Sequence, residues 1–197
     1  MTPRENPQPQ KPPPQLSIPT RLVPLMRTIG RIGAEMELPA YAVGGCVRDW
    51  MLGSDTVDLD VTVDGSGIDV ARAAAEALDA SLEVHQHFGT ATIRMPSPQV
   101  VAAVKGTRQP VPSVDFATCR KERYPKPGAY PEVALGSLRQ DLFRRDFTIN
   151  AMAVTLTPRK FGELVDPFDG AGDLKRKQLR ILHDRSFLDD PSRILRG

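Results

Sequence analysis

The sequence predicts a mixed α/β (α+β) domain, in which a small mixed sheet carries helices on its flanks. Three observations support this class: short β-like segments alternate with helical ones, a glycine pair separates a strand from a helix, and an acidic pair lies in a second strand. The 197 residues are 40% hydrophobic and 25% charged, which suffices for one hydrophobic core. The strand order cannot be deduced from the sequence alone.

Apolar residues at helical spacing, among them Leu22, Met26 and Ile29, predict an amphipathic helix at 21–36. Further helices are predicted at 46–52, 68–78 and 137–144, and Ser137 is a suitable cap for the last. Strands are predicted at 40–43, 57–63, 81–86, 90–95, 112–118, 151–156, 161–165 and 179–182. We expect hairpins for 81–86 with 90–95 and for 151–156 with 161–165, and a Pro-containing loop at 121–132.

Composition limits the classes of protein that fit. Residues 1–19 are rich in proline and glutamine, which predicts a disordered tail. The net charge of +2 means that any binding of nucleic acid must depend on local charge. Two cysteines without a secretory leader favour a reducing, cytoplasmic setting. No apolar run approaches the roughly 20 residues of a membrane span.

Gly44 and Gly45 separate the strand at 40–43 from the helix that follows it. Glycines let the backbone turn and approach a ligand closely, and the helix start offers free N–H groups to an anion. Arg48 and Asp49 lie in the first turn of that helix. The arrangement favours a phosphate site, although a glycine pair before a helix is weak evidence by itself.

Asp58 and Asp60 lie two positions apart in a predicted strand, so both carboxylates project from one face. Two like charges so close need a cation, or one of them must raise its pKa. Mg²⁺ prefers such hard oxygen ligands, and a two-metal site can activate a hydroxyl and stabilise a leaving pyrophosphate. A solvated acidic strand edge is the alternative, and the nearby glycine pair favours the metal site.

Two further groups of residues bear on this site. Asp115, in a neighbouring strand, is the candidate for a third catalytic carboxylate, and an ordinary exposed acid remains the alternative. Arg145, Asp146 and Asn150 follow the helix at 137–144. Arginine suits triphosphate oxygens and aspartate accepts from ribose hydroxyls, whereas arginines at a helix C-terminus are also explained by the helix dipole.

Five blocks in a fixed order resemble the class II tRNA nucleotidyltransferase (CCA-adding enzyme) and poly(A) polymerase family: GGCVRD, DLD, RRDFTINAMA, DPFDGAGDL and DDPSRILR. The resemblance runs from about residue 40 to the end of the sequence. It implies a polymerase-β-like nucleotidyltransferase head at 20–183. It also implies that 184–197 begins a helical neck, which we expect to continue in a longer protein.

The resemblance also implies roles for the residues described above. The glycine pair with Arg48 and Asp49 would bind phosphate, and the acidic pair would hold Mg²⁺. Arg145, Asp146 and Asn150 would contact the ribose and the triphosphate of the nucleotide.

Asp190 and Arg193 match the family's pair that reads the incoming base. A carboxylate accepts from an exocyclic amine and a guanidinium donates to a ring nitrogen or carbonyl, which suits cytosine and adenine. Asp189 stands where the family usually has glutamate. The basic loop at 121–132 occupies the place of the family's flexible loop, and contact with RNA and a solvated loop are both open interpretations.

The implied function is transfer of CMP or AMP from CTP or ATP to the 3′ end of tRNA, with release of pyrophosphate. Poly(A) polymerase and CC-only or A-only addition are the alternatives within the enzyme class. Outside it, the alternatives are a non-catalytic nucleotide- or RNA-binding module and a structural domain of a larger assembly. The acidic pair argues against a binding module, and the five blocks argue against a structural domain. The oligomeric state is left open.

Overall fold

The computed structural model describes residues 16–95 and 113–197. Its strands are β1 (Ala40–Val43), β2 (Leu59–Val63), β3 (Ser81–His85), β4 (Thr90–Arg94), β5 (Ser113–Thr118), β6 (Arg120–Arg123), β7 (Glu132–Leu135), β8 (Ala153–Thr155) and β9 (Leu164–Val165). Its α-helices are α1 (Val23–Glu35), α2 (Gly45–Met51), α3 (Gly67–Ala77), α4 (Leu138–Phe143), α5 (Gly170–Arg176) and α6 (Ser186–Asp189). Short 3₁₀ turns lie at Gln86–Phe88, Thr148–Asn150, Pro158–Lys160 and Pro191–Arg196.

Seven strands form the main sheet in the order β3-β4-β5-β2-β1-β8-β9, and β6 pairs with β7 in a separate ribbon. The β2–β5 pair is parallel, and the other strand pairs of the main sheet are antiparallel. A parallel pair needs a crossover connection, and α3 lies in the segment between β2 and β5. The sheet is therefore mixed, as the sequence predicts.

One face of the sheet is covered by α1 and α3, which build the main core with the inward-facing residues of the strands. Along β2, Leu59, Val61 and Val63 are buried, while Asp60 is exposed on the opposite face. In β5, Val114 and Phe116 alternate with Asp115 in the same way. This period-two alternation places Asp60 and Asp115 on the second face of the sheet, which is open at that end, whereas Thr62 further along β2 is fully buried.

Most predicted elements are confirmed, with ends shifted by at most three residues. Both predicted hairpins are present, since β3 pairs with β4 and β8 with β9. Ser137 caps α4, where its hydroxyl accepts from the Gln140 N–H and the Gln140 side chain returns a bond to the backbone of Ser137. The predicted strand at 179–182 is wrong, because Ile181 makes only a single bridge to Phe147.

The loop prediction at 121–132 is wrong at both ends, because residues there pair as β6 and β7 and only the segment between them is a loop. The tail prediction for 1–19 also needs correction at its edge. Leu16 and Ile18 pack against the core, so the packed part of the chain begins before residue 20. Residues 1–15, and the segment at 96–107 for which no element was predicted, lie outside the described residues.

Within residues 16–95 and 113–197, no helix combines the length and the apolar character that a membrane crossing would require. Cys46 and Cys119 are both buried and unpaired.

Candidate active site

The open face of β2 and β5 carries the predicted acidic residues. Asp60 and Asp115 are Cα partners in the parallel pair, so their side chains lie next to each other on the same face. Asp58 precedes the first residue of β2 and is exposed, as Asp60 is. The structure therefore brings Asp115 beside Asp60, a pairing that the sequence could only suggest.

Asp115 is held in place by the next strand. Thr92 of β4 is its Cα partner, and the Thr92 hydroxyl donates to Asp115 Oδ1 at 2.5 Å. One oxygen of the Asp115 carboxylate is thereby oriented, and the other is left for a further ligand.

The pKa of Asp60 is raised above its ordinary value. Partial removal of the carboxylate from water is the largest cause, and the negative charges of Asp115 and Asp58 add to it. The nearby guanidinium of Arg145 opposes the rise without cancelling it. Although its side chain is reached by solvent, Asp60 is thus an anion that lacks sufficient positive compensation. A bound cation would supply it.

The acidic face is not a ready-made metal centre. Among the residues that the structure describes, no three acidic, histidine or cysteine side chains are gathered closely enough to form a metal-binding cluster. The donors themselves are carboxylate oxygens on one face, which is the chemistry that hard divalent cations prefer.

The glycine pair joins β1 to α2 and requires glycine at its first position. Gly44 has φ +79°, a conformation that residues with a side chain rarely adopt. A Cβ at Gly44 would lie 2.6 Å from Nη1 of Arg145, so the absence of a side chain lets the guanidinium sit against the backbone. Gly44 N–H donates to the carbonyl of Met152 at 3.1 Å, which fixes the turn.

A chain of polar contacts connects α2 with the RRDFTIN block. Arg48 donates to Asn150 Oδ1 at 2.6 Å, and its guanidinium lies 2.8 Å from the carboxylate of Asp49. Asn150 in turn donates to Asp146 Oδ1 at 3.0 Å. Asp49 therefore orients Arg48, whereas Arg48, Asp146 and Asn150 face the cleft described next.

Most of the predicted nucleotide-binding residues meet in one open cleft of about 670 Å³. Its predicted members are Gly44, Gly45, Arg48, Arg145, Asp146, Asn150, Asp190 and Arg193. Arg120, Glu122, Tyr124, Arg144 and Arg196 also line it, together with the loop between β6 and β7.

Arg145 stands where the cleft meets the acidic face. Its guanidinium lies 3.2 Å from Asp141, a fully buried carboxylate of α4, and it lines both the cleft and a second cavity beside Asp60. Its buried Nε has no hydrogen-bond partner in the part of the chain that the structure describes. Arg145 therefore borders both regions, and its contact with Asp141 fixes its guanidinium there.

Asp190 and Arg193 lie together, but their side chains differ in burial and in hydrogen-bond partners. Arg193 is only 3% exposed, and it donates to the Ser186 hydroxyl and the Arg144 carbonyl, each at 2.7 Å. Asp190 accepts from Ser192 and contacts Arg196 at 3.1 Å. Burial favours the neutral acid of Asp190, but bonds from Ser192 and the nearby arginines outweigh it, so its pKa is lowered.

The sequence reasoning missed a buried carboxylate in the wall of the cleft. Glu122 is 6% exposed and contacts Arg120 at 2.9 Å and Arg144 at 3.2 Å, and it accepts from the hydroxyl of Tyr124 at 2.9 Å. The segment RKER is charged throughout, so its sequence shows no apolar alternation, and three prolines in the following residues favoured the loop interpretation. Arg196 was missed because only Asp190 and Arg193 of the DDPSRILR block, which Arg196 ends, were matched to a role.

The mixed sheet, the acidic face and the glycine-helix cleft define a head domain of the nucleotidyltransferase class. The model of the poly A polymerase head domain matches residues 40–180, and the chain belongs to that family.

Individual relatives agree with this assignment. The A-adding tRNA nucleotidyltransferase of Geobacter sulfurreducens is 44% identical over 180 residues, covering 91% of this chain and 19% of the relative. The CC-adding tRNA nucleotidyltransferase of Deinococcus radiodurans is 39% identical over 167 residues, covering 85% of this chain and 41% of the relative. An apo structure of a CCA-adding enzyme superposes with a TM-score of 0.79 at 39% identity, covering 90% of this chain and 39% of that one. The chain thus spans less than half the length of these relatives.

Proposed function

We propose that the protein containing this chain transfers CMP or AMP from CTP or ATP to the 3′ end of tRNA and releases pyrophosphate. The observation that carries the proposal is the alignment of Asp60 with Asp115 on one face, with Asp58 two residues earlier and Arg145 leading to the glycine-helix cleft. The names of the relatives support tRNA as the acceptor.

Asp58 and Asp60 are proposed to hold Mg²⁺, with Asp115 as a third carboxylate. The fit is supported by the hard-oxygen donors and by the raised pKa of Asp60, to which burial contributes most and the charges of Asp115 and Asp58 add. When bound, such ions lower the pKa of the attacking hydroxyl and neutralise the charge that develops on the leaving pyrophosphate.

The cleft residues are proposed to position the nucleotide. The start of α2, Arg48 and Arg145 line the cleft in which a triphosphate would lie. Asp146 and Asn150 supply an acceptor and an amide for the ribose hydroxyls.

Asp190 is proposed to accept from the exocyclic amine of cytosine or adenine. Its lowered pKa supports a carboxylate that stays ionised and acts only as an acceptor. Arg193, now bonded to Ser186 and Arg144, is proposed to hold this turn and to face the base only after exchanging one of those bonds.

A narrower activity, addition of AMP alone to tRNA that already ends in CC, is the second candidate. It is favoured by the two enzymes of Geobacter sulfurreducens, of which the A-adding one is 44% identical to this chain and the CC-adding one 33%. We also propose a cytosolic location, which the two unpaired cysteines support.

Product analysis with the full-length protein tests these proposals. Transcripts of tRNA lacking the whole CCA end, or ending in CC, are incubated with labelled CTP, labelled ATP or both, and with GTP and UTP as controls. CCA addition predicts extension of both transcripts, whereas A-only addition predicts extension of the CC-ending transcript by one AMP. Long AMP tails would indicate a poly(A) polymerase. Failure to extend either transcript would contradict the proposed transfer and favour a binding module.

A further inference from the structure

A second cavity lies over the open face of the sheet, beside the glycine-helix cleft. Its volume is about 370 Å³, and Asp60 and Asp115 form part of its wall. The wall is completed by residues of β1, β2, β5 and the β3–β4 hairpin, and Arg145 lines this cavity as well as the cleft. The acidic face therefore opens toward a space that the proposed nucleotide contacts do not use.

The geometry of nucleotidyl transfer indicates which molecule would lie in the second cavity. The attacking and leaving oxygens lie roughly in line on opposite sides of the reacting phosphorus. If the pyrophosphate leaves toward Gly44, Gly45 and Arg48, the attacking hydroxyl must approach from the other side of the acidic face. The second cavity is the described space on that side, and its occupant would be the 3′-terminal nucleotide of the acceptor RNA.

The side chains of the β3–β4 hairpin suit a ribose and its phosphate. His85 and Thr90 are Cα partners across the hairpin, and Thr90 is in turn paired with Ala117 of β5. His85, Thr90 and Thr92 all line the cavity and supply hydrogen-bonding groups. The nearby acid Glu83 does not leave a free negative charge here, because Arg94 contacts it at 2.9 Å.

The tip of the same hairpin exposes an aromatic ring. Phe88, in the turn Gln86–Phe88 between β3 and β4, is 65% exposed. The imidazole of His87 packs edge-on against it, with ring centroids 5.1 Å apart, so one side of the ring is supported. Exposed aromatic side chains are the platforms on which unpaired RNA bases stack.

We propose that the β3–β4 hairpin forms the acceptor side of the active site. His85 and Thr90 would contact the terminal ribose and phosphate of the RNA, and Phe88 would stack on one of its unpaired bases. This inference rests on the proposed function and adds to it the surface that receives the RNA strand.

The test compares full-length variants by steady-state kinetics on CC-ending tRNA. Phe88→Ala should raise the KM for tRNA roughly 5- to 150-fold, the range expected for the loss of one base-stacking contact, and leave the KM for ATP unchanged. Phe88→Trp should restore the KM for tRNA, and His85→Ala should raise it in the same selective way. Met36→Ala is the matched control, because Met36 is 37% exposed at the end of α1, which packs on the other face of the sheet.

Selective loss of tRNA affinity in Phe88→Ala, with rescue by tryptophan, would support the proposal. It would be overturned by an unchanged KM for tRNA, by an equal rise in both KM values, or by failure of Phe88→Trp to restore binding. A wild-type protein that extends no tRNA at all would instead contradict the proposed function. The two failures are therefore distinguishable.

Discussion

Asp60 and Asp115 lie side by side as Cα partners of two parallel strands, and the Thr92 hydroxyl holds Asp115 from the strand beyond. The third carboxylate of the acidic face is therefore a product of sheet register, whereas Asp58 and Asp60 come from one local segment of the sequence. A shift of β5 by one residue would turn Asp115 into the core and bring Phe116 to the open face. The position of the third carboxylate is thus fixed by the same packing that builds the core.

The raised pKa of Asp60 predicts that its ionised carboxylate does not stabilise the fold. A raised pKa means that the folded state favours the protonated acid, so the stability this group contributes is present at low pH and is lost as the pH rises through its folded pKa. Asp60→Asn should therefore leave the free energy of unfolding at pH 7 unchanged or slightly higher. Urea denaturation measures this, and a marked loss of stability would contradict the account.

Mg²⁺ should stabilise the wild-type protein and not Asp60→Asn, because a ligand that binds only the folded state raises its stability. Thermal melts with and without Mg²⁺ test this without any measurement of activity. Equal rises in melting temperature in the two proteins would show that Mg²⁺ binds at a site other than Asp60.

Gly44→Ala should weaken the binding of CTP and ATP. The new Cβ would meet Arg145 at 2.6 Å, and the positive φ would add about 1–3 kcal/mol of backbone strain. Gly53→Ala is the matched control, because Gly53 has φ +77° and no atom lies within 4 Å of its added Cβ. Both variants should lose stability, but only Gly44→Ala should lose nucleotide affinity, as measured by calorimetry. Equal affinities would show that the position of Arg145 is unimportant.

Asp173 should stabilise the fold in a pH-dependent way. It is fully buried and is bonded to Thr148, Arg176 and Arg180. Burial alone would raise its pKa, but these hydrogen bonds outweigh burial and the net pKa is lowered. Its contribution is therefore present at neutral pH and is lost as the pH falls through its folded pKa.

Asp173→Asn should cost about 2–3 kcal/mol of unfolding free energy at pH 7, because Thr148 is left with a weaker acceptor and the two arginines lose their counter-ion. The difference from wild type should narrow as the pH falls below 3.8, the ordinary pKa of an aspartate, and through the lowered folded pKa of Asp173. Denaturant titrations at pH 7 and across this acidic range measure it. A difference in unfolding free energy that does not depend on pH would contradict the account that Asp173 stabilises the fold as a charged carboxylate.

Local patterns predicted most of the fold. The helical spacing of Leu22, Met26 and Ile29 identified α1, and all three are fully buried. The alternation of Asp58, Leu59 and Asp60 identified the face of the acidic pair. Such features depend on residues close in sequence, whose geometry is set by the period of a helix or a strand.

Features that depend on distant pairing could not be predicted. The sequence offered Asp115 as a candidate, but only the register of β2 with β5 places it beside Asp60. Glu122 was assigned to a loop, because prolines in the following residues masked a strand that is stabilised by pairing with β7. The inward turn of Arg193 likewise depends on acceptors from Ser186 and Arg144 that no spacing rule reveals.

The most direct test of the central claim is the incorporation of labelled CMP and AMP into tRNA by the full-length protein with Mg²⁺. The measurement compares wild type with Asp60→Asn and Asp58→Asn, after circular dichroism has confirmed that the variants fold. The account predicts that each substitution lowers the rate at least about a thousandfold, because the acidic pair binds the cations that stabilise the transition state. Incorporation by either variant at a rate near that of wild type would contradict it.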